Sequence, residues 1–372
     1  MKRRIAIAAV ASVLVGSIAI GLRSMPWHSK IDLWLVKESP PGHVGVLTSV
    51  WWNEDGTRAI VVGRSGTILE RNNQIGDIAS ATWSQLGGAS HEDLYAIAGG
   101  NGPWRYSIGE HARVFGVGAH GRIIDCTYSP CKELERAVER DLRGISVAGG
   151  QALVVGDYGT VLQIAPDPHT TGPPELEAVV VQQQSVDSAL QNFTAVWLAC
   201  SPREYSQVCD AVVVGAAGAV FEGFGKGYCD NGERRSGTSN LHCEWTWSRS
   251  VSPTPEDLVA VWSEDGIVVA STRSGQRIRR DAQGRWSFGE LVRDTWKVIR
   301  APVRTTETRL WSRRESSAPS TLAFGERTTA RLSGAWIALP GAPRIVAGAT
   351  PELLKGEVAL LVADDGEVFL AR

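Results

Sequence analysis

A short element recurs along the chain: two or three apolar residues, then Gly-x-x-Gly, then a β-branched stretch. The clear copies lie at 61–69, 117–123, 154–161 and 213–220. Three degenerate copies keep one glycine each, at Gly275, Gly325 and Gly366. Glycine supplies the positive φ that a tight hairpin turn requires, so each copy predicts a strand, a two-residue turn and a second strand. Self-similarity of this kind is typical of repeat architectures.

Two further strands flank most copies. The upstream strand starts with Asp or Asn followed by an apolar residue, at 93–97, 141–145, 192–196 and 257–261. The downstream strand is led by tryptophan, at 82–84, 244–247, 285–288 and 335–337. Each repeat therefore has four strands, which we name A to D. One such unit cannot bury both faces, so neighbouring units must stack. Seven units over residues 31–372 predict an all-β, seven-bladed β-propeller.

The last unit lacks its D strand. It has candidate A, B and C strands at 344–347, 358–362 and 367–370, and then the chain ends. The segment 33–38 carries Trp34 and resembles a D strand that no A, B or C strand precedes. We therefore predict that this N-terminal strand completes the last blade. Closing the ring would remove sheet edges that otherwise invite aggregation.

The N-terminus has the pattern of an export or membrane signal. Lys2, Arg3 and Arg4 precede an apolar run over residues 5–22, and a membrane-spanning helix needs about 20 such residues. Residues 1–30 therefore predict an N-terminal apolar helix, either an uncleaved membrane anchor or a signal peptide cleaved after Ala19. Because basic residues stay on the cytoplasmic side, the remainder is predicted to be exported to the periplasm. Residues 5–22, if uncleaved, would anchor it to the inner membrane.

Six cysteines fall in the exported part, in close pairs: Cys126 and Cys131, Cys200 and Cys209, Cys229 and Cys243. An even count in an oxidising compartment predicts disulfides. Sequence-adjacent pairing is favoured among the possible connectivities, because each pair brackets one hairpin. No C-x-x-C occurs and the seven histidines lack metal-ligand spacing. We therefore expect no metal and no cofactor.

The net charge of the chain and its distribution limit the classes of partner that we expect. The net charge is −2, whereas a generic nucleic-acid binder is basic, so no nucleic-acid partner is expected. Residues 273–331 nevertheless contain 14 Lys and Arg against 6 Asp and Glu. Such a one-sided basic surface would attract an anionic envelope component, such as lipid head groups or acidic polysaccharide. The alternative is that these basic residues only line the solvated outer faces of strands.

The turns between strands B and C provide the candidate ligand-binding residues, because in propellers these turns tend to lie on one face. The candidates in these turns are Arg64, His120, Asp157, Tyr158 and Arg273. The alternative is that they are ordinary turn residues.

Most of the 14 tryptophans fit between blades as core. Trp104, in a Gly-Asn-Gly-Pro loop, is the better candidate for a surface contact.

The Val-Gly-x-x-Gly-x-Ile strand pair followed by a Trp-led strand resembles the repeat of bacterial sialidase-like propellers. Among these, it is similar to the photosystem II assembly-factor type and its exported relatives, over roughly residues 45–370. The resemblance implies a binding or assembly role without catalysis. The nearest match to a sialidase Asp box is 281–286, where the glycine comes one place late, and the sialidase Arg-Ile-Pro motif is missing.

We expect an exported, non-catalytic binding or assembly scaffold that presents propeller loops to a protein or an anionic envelope component. One alternative is a glycoside hydrolase or lyase on the same fold. Such an enzyme needs two carboxylates at the central face, roughly 5–9.5 Å apart. Another alternative is a purely structural part of a larger envelope complex. The sequence leaves the oligomeric state open.

Overall fold

The structure is a computed structural model. It describes residues 31–32, 35–38, 40, 45–74, 80–86, 91–100, 113–166, 179–184, 186, 191–203, 206–228, 242–264, 266–291, 295–300, 304–305, 321–325, 329–332, 335–338, 344–349, 359–363 and 365–371. No helix within these ranges is long and apolar enough to cross a membrane. The predicted N-terminal helix in residues 1–30, together with Trp34, Trp104 and Cys229, lies outside the described residues.

The described secondary structure is almost entirely strand. In the first half of the chain the strands are β1 (Ile31–Asp32), β2 (Leu35–Glu38), β3 (Leu47–Trp52), β4 (Arg58–Gly63), β5 (Ile68–Asn72), β6 (Thr82–Gln85), β7 (Leu94–Gly100), β8 (Arg113–Gly118), β9 (Ile123–Asp125), β10 (Lys132–Glu133), β11 (Leu142–Ala148), β12 (Gln151–Gly156), β13 (Val161–Pro166) and β14 (Val179–Gln183). The remaining strands are β15 (Phe193–Arg203), β16 (Ser206–Gly215), β17 (Val220–Tyr228), β18 (His242–Ser250), β19 (Leu258–Glu264), β20 (Ile267–Thr272), β21 (Gln276–Arg280), β22 (Trp286–Leu291), β23 (Thr295–Arg300), β24 (Arg304–Thr305), β25 (Thr321–Gly325), β26 (Thr329–Leu332), β27 (Ala335–Ala338), β28 (Ile345–Ala349), β29 (Ala359–Ala363) and β30 (Val368–Ala371).

The chain divides into two compact units, residues 1–33 with 303–317 and residues 34–302 with 318–372. In the first unit, β1 pairs with β24. The second unit contains four-stranded antiparallel sheets, seven of them in the described part of the chain. We number these sheets 1 to 7 in chain order. Their strand orders are β3-β4-β5-β6, β7-β8-β9-β10, β11-β12-β13-β14, β15-β16-β17-β18, β19-β20-β21-β22, β23-β25-β26-β27 and β28-β29-β30-β2.

The last of these sheets contains the predicted pairing of the two chain ends. Strand β2 lies antiparallel to β30, with Leu35 opposite Ala371 and Glu38 opposite Val368. The N-terminal strand therefore occupies the D position that the last repeat lacks.

In sheets 1 to 5 and in sheet 7, the second strand is buried on both faces, as expected for a sheet stacked between two others. In β4, Ala59 through Val62 are fully buried, and so are Ala152 through Val155 in β12. One core cluster joins Leu153 of sheet 3 to Phe193 of sheet 4. The apolar runs that precede each Gly-x-x-Gly therefore hold neighbouring sheets together.

The sheets follow one another in a closed cycle. Strands β3, β7, β11, β15, β19, β23 and β28 are the first strands of their sheets, and each contacts the next. Strand β28 contacts β3, and one core cluster contains both Leu47 of sheet 1 and Leu360 of sheet 7. This closed cycle is the arrangement of a β-propeller.

The Gly-x-x-Gly copies form the predicted tight turns. In the first, the N–H of Thr67 donates to the carbonyl of Arg64 at 3.1 Å. Ser65 and Gly66 between them have φ values of 53° and 70°. Positive φ at both central positions defines a type I′ turn, whose twist matches that of the flanking strands. The same pair of positive φ values recurs at His120 and Gly121, at Tyr158 and Gly159, and at Ala217 and Gly218.

The antiparallel order gives the stacked sheets two distinct ends. The turns between strands B and C lie at the same end as the start of strand A, and we name this end the turn face. It includes turns 63–67, 118–122, 156–160 and 215–219. The connections from A to B and from C to D lie at the opposite end, which we name the hairpin end.

Two of the predicted disulfides are present, both at the hairpin end. Cys126 and Cys131 bridge the connection between β9 and β10. Cys200 and Cys209 lie directly opposite each other on β15 and β16 and are bonded. Cys243 lies on β18 opposite Gly227. A bond to Cys229 would involve a residue outside the described ranges.

The described tryptophans largely pack between sheets, as predicted. Trp51, Trp52 and Trp286 are buried. Trp83 and Trp286 also donate their indole N–H groups across a sheet boundary, to Glu38 of sheet 7 and to Glu222 of sheet 4. A tryptophan at this position therefore supplies both apolar contact and one specific hydrogen bond.

Candidate ligand-binding face

Four of the predicted site residues lie together on the turn face of sheets 1 to 3. Arg64 belongs to the first turn, His120 to the second, and Asp157 and Tyr158 to the third. The side chains of Arg64 and His120 are 62% and 68% exposed, and Tyr158 is 59% exposed. Asp157 is more enclosed because it holds an arginine of its own sheet.

Each of these turns is tied to the next sheet by one recurring hydrogen bond. The backbone N–H of the first positive-φ residue donates to the side chain of the Asp or Asn that precedes strand A of the following sheet. The pairs are Ser65 to Asp93 at 2.9 Å, His120 to Asp141 at 3.1 Å, Tyr158 to Asn192 at 3.0 Å and Ala217 to Asp257 at 2.8 Å. The recurring Asp or Asn was visible in the sequence, but its role was not predicted.

A first group of charged residues surrounds His120. The Nδ1 of His120 lies 3.4 Å from Oε1 of Glu92, and Nη2 of Arg136 lies 2.7 Å from Oε2 of the same carboxylate. The hydrogen bond from Arg136 holds the pKa of Glu92 below its usual range, against a smaller opposing effect of burial. Arg64 is only loosely paired, with its Nε 3.9 Å from Asp93.

A second group was missed by the sequence analysis and contains Tyr95, Asp141, Arg143 and Asp157. Nη2 of Arg143 lies 2.9 Å from Asp141 and 3.1 Å from Asp157, and its Cζ lies 4.9 Å from the centre of the Tyr95 ring. The hydroxyl of Tyr95 lies 3.4 Å from Asp141. Burial, followed by the negative charge of Asp141, raises the pKa of Tyr95.

Tyr95 and Arg143 reach this place because each follows the first residue of its A strand. At this position the register between strands A and B shifts in every sheet, as between Leu94 and Ala96 or between Leu142 and Gly144. A β-bulge re-aims the side chain of the extra residue. Sheets 1 and 4 have threonine there, and each threonine bonds a carbonyl of the next sheet. The hairpin motif carries no signal for a bulge.

Tyr158 is the most exposed aromatic side chain of this face among the residues that the structure describes. Cζ of Arg140 lies 5.0 Å from its ring centre, and Nη1 of Arg140 donates to its carbonyl at 3.2 Å. A bulky residue rarely adopts a φ of 56°. The first central position of a type I′ turn favours Asn, Asp or Gly. Turn formation therefore does not account for a tyrosine here, and backbone strain of this kind clusters at functional sites.

Arg273 lies apart from these groups, in the turn that follows β20. Its side chain is exposed. The neighbouring Ser274 donates to Glu256 at 2.7 Å. In the described part of the chain, no contact joins Arg273 to the residues of sheets 1 to 3. The structure therefore brings together four of the five described candidates.

The predicted basic region is partly neutralised where the structure describes it. Arg277 pairs with Glu264 at 3.4 Å, Arg280 with Glu222 at 2.6 Å and Arg285 with Asp281 at 2.9 Å. Arg273 and Arg279 are exposed. The side chains from residue 290 to the end of sheet 6 lie outside the described ones. Within residues 273–289 the basic excess is therefore smaller than the sequence count indicates.

The Asp-box-like segment forms a turn at the hairpin end, away from the candidate face. Oδ1 of Asp281 accepts hydrogen bonds from the backbone N–H groups of Gln283 and Arg285, at 2.9 Å and 2.8 Å. The Arg285 N–H is the main reason that the pKa of Asp281 is lowered. This aspartate therefore shapes the connection between β21 and β22.

Two carboxylates of the turn face, those of Asp141 and Asp157, are arranged around one arginine. Asp141 and Asp157 both bind the same nitrogen of Arg143. These carboxylates hold a guanidinium between them, where a glycoside hydrolase would need room for a sugar. Among the described residues, no group of three or more His, Cys, Asp or Glu side chains is placed to hold a metal ion.

Comparison with known proteins identifies the fold. No protein-family model matches the sequence. No curated protein matches it either. Among solved structures, the chain is similar to the WD40 β-propeller domain of Doa1, with a TM-score of 0.55 and 11% identity over 92% of this chain and 97% of that one. At this identity the likeness establishes architecture alone, and it agrees with the closed cycle of sheets: the chain adopts a β-propeller fold.

Proposed function

We propose that the protein is an exported, non-catalytic binding or assembly scaffold. In this proposal the seven sheets are the blades of one propeller that β2 closes. The propeller presents its turn face to a partner in the cell envelope, and residues 5–22 hold it at the inner membrane. The resemblance of the repeat to sialidase-like and photosystem II assembly-factor-type propellers agrees with a binding or assembly role.

One observation carries the proposal: Tyr158 is exposed on a turn whose backbone is fixed at several points. Its N–H is bonded to Asn192, its carbonyl to Arg140, and the preceding Asp157 to Arg143. Tyrosine and arginine are among the residues most often found at the energetic centre of protein interfaces. A rigid turn also loses little conformational entropy on binding. The partner we favour is therefore a protein.

Export is supported by the disulfides. Both described bonds, Cys126–Cys131 and Cys200–Cys209, join sequence-adjacent cysteines as predicted. Disulfides persist in oxidising compartments such as the periplasm. The basic run and apolar segment at the N-terminus are the pattern that directs a chain there.

The test is capture of partners from envelope extracts by three forms of the full chain. These are the natural chain, Tyr158→Ala and Phe288→Ala. Alanine already occupies the equivalent position in sheet 4, where Ala217 has a φ of 52°, so Tyr158→Ala should leave the turn intact. Phe288 is 55% exposed and lies on β22, which makes it a matched control.

We expect a protein partner that the natural chain and Phe288→Ala retain equally. Tyr158→Ala should bind this partner at least tenfold more weakly, which corresponds to a loss of about 1.4 kcal/mol in binding free energy. Equal retention of every partner by all three forms would rule out the turn face as the binding surface. Complete release of the partner by salt alone, with no effect of Tyr158→Ala, would favour the anionic-component alternative.

A further inference from the structure

The point at which the N-terminal segment joins the propeller can be read from strand directions. Strand β30 follows a turn between strands B and C, so it starts at the turn face and ends, at Ala371, towards the hairpin end. Strand β2 is antiparallel to it, with Leu35 opposite Ala371. The chain therefore enters the sheet at Leu35 from the hairpin end.

The candidate binding residues lie at the other end of the same sheets. Arg64, His120 and Tyr158 occupy turns between strands B and C. A strand of six residues spans about 20 Å at about 3.3 Å per residue. The chain entry point and the candidate binding face are therefore separated by the full height of the sheets.

We infer that the hairpin end of the propeller, which contains both described disulfides, faces the membrane. The turn face is then directed away from the membrane. This inference rests on the proposed anchoring by residues 5–22. The partner surface it defines faces the periplasm, so it suits a soluble periplasmic protein or the exported domain of a membrane protein. The membrane surface itself would meet the hairpin end.

Fluorescence energy transfer to a labelled lipid surface tests this orientation. The full oxidised chain is reconstituted into phosphatidylcholine–phosphatidylglycerol vesicles that contain a rhodamine-labelled lipid. One cysteine is added in each of two variants and carries the donor dye. Val251→Cys lies after β18 at the turn face, where Val251 is 88% exposed, and Ala282→Cys lies between β21 and β22 at the hairpin end. Both positions are exposed, and the natural oxidised chain serves as the control for labelling of its own cysteines.

We expect energy transfer from the Ala282→Cys label to exceed that from the Val251→Cys label by at least about twofold, because the two ends are separated by about 20 Å. Equal or reversed transfer, with the protein still bound to vesicles, would overturn the orientation and leave the anchoring intact. Absence of vesicle binding would overturn the anchoring, and the orientation with it.

Discussion

At the scale of single residues, the boundary between the first and last sheets depends on Glu38. Both of its oxygens accept hydrogen bonds from Arg71, at 2.9 Å and 2.8 Å, and Oε2 also accepts one from Trp83 at 2.8 Å. The side chain of Arg71 is fully buried and its Cζ lies 5.4 Å from the Trp52 ring centre. A buried guanidinium without its carboxylate is costly, so Glu38 fixes the N-terminal strand against sheet 1.

The first prediction is that Glu38→Gln destabilises the protein by about 3–5 kcal/mol, because it removes the carboxylate that accepts two hydrogen bonds from the buried guanidinium of Arg71. Equilibrium urea unfolding measures the loss. Lys37→Gln on the same strand is the control, since Lys37 forms an exposed pair with Glu367 that is worth about 0–1 kcal/mol. Equal effects of the two substitutions would contradict this role of Glu38.

The second prediction concerns pH and Glu92. The hydrogen bond from Arg136 depresses the pKa of Glu92, so this carboxylate binds a proton less readily in the folded state than in the unfolded state. Its stabilising contribution is therefore complete above its ordinary pKa and is lost as the pH falls through the lower, folded pKa. Arg136 and His120 lie beside the carboxylate of Glu92, and Glu133 pairs with the same nitrogen of Arg136.

The measurement is the melting temperature of the natural chain and of Glu92→Gln between pH 7 and pH 3. We expect the natural chain to be more stable at neutral pH and the difference to shrink in the acid range. Glu135→Gln, at an exposed position next to Arg136 in the chain, should give a small difference that changes little with pH. A Glu92→Gln difference that stays constant down to pH 3 would show that the charge of Glu92 does not contribute.

At the scale of elements, the third prediction concerns the residues that join one turn to the next sheet. Asp141 accepts the backbone N–H of His120 and also pairs with Arg143. Asp141→Ala removes both interactions and should cost about 0.5–1.5 kcal/mol, because the His120 turn loses its hydrogen bond to the next sheet. Asp141→Asn keeps an acceptor, as Asn192 does at the equivalent position, so it should cost less. Urea unfolding of the two variants compares them, and equal losses would show that the hydrogen bond to His120 is unimportant.

The hairpin turns could be predicted because their geometry is local. Gly-x-x-Gly after a short apolar run, followed by a β-branched run, is sufficient to predict a tight turn, and the turn centred on Ser65 and Gly66 has that geometry. The acceptor role of Asp93 could not be predicted in this way. Its bond to Ser65 spans 28 positions and forms only once two sheets are stacked. The same holds for Arg143, whose place depends on a register shift that the apolar pattern does not encode.

At the scale of the whole molecule, the pairing of the chain ends was predictable by counting strands. The last repeat lacked one strand and the N-terminus had one to spare, and β2 does pair with β30. The pairing of β1 with β24 had no such signal, because the connection between β23 and β25 contains no copy of the repeat. The sequence repeat therefore predicts the sheet position of each repeated strand. It does not predict the pairing of segments inserted between the repeats.

The last prediction follows from closure of the ring by β2. A chain that starts at residue 39 lacks β2, so it should expose the edge of β30 and lose the Glu38–Arg71 pair. An exposed strand edge pairs readily with another chain. We therefore expect this chain to melt at a lower temperature and to associate in sedimentation velocity experiments.

The control is a chain that starts at residue 31, which keeps β2 and should remain stable in the same buffers. Both chains are refolded under oxidising conditions so that the disulfides at Cys126–Cys131 and Cys200–Cys209 form in each. If the two chains have the same melting temperature and the same sedimentation coefficient for their mass, β2 is not needed to close the ring.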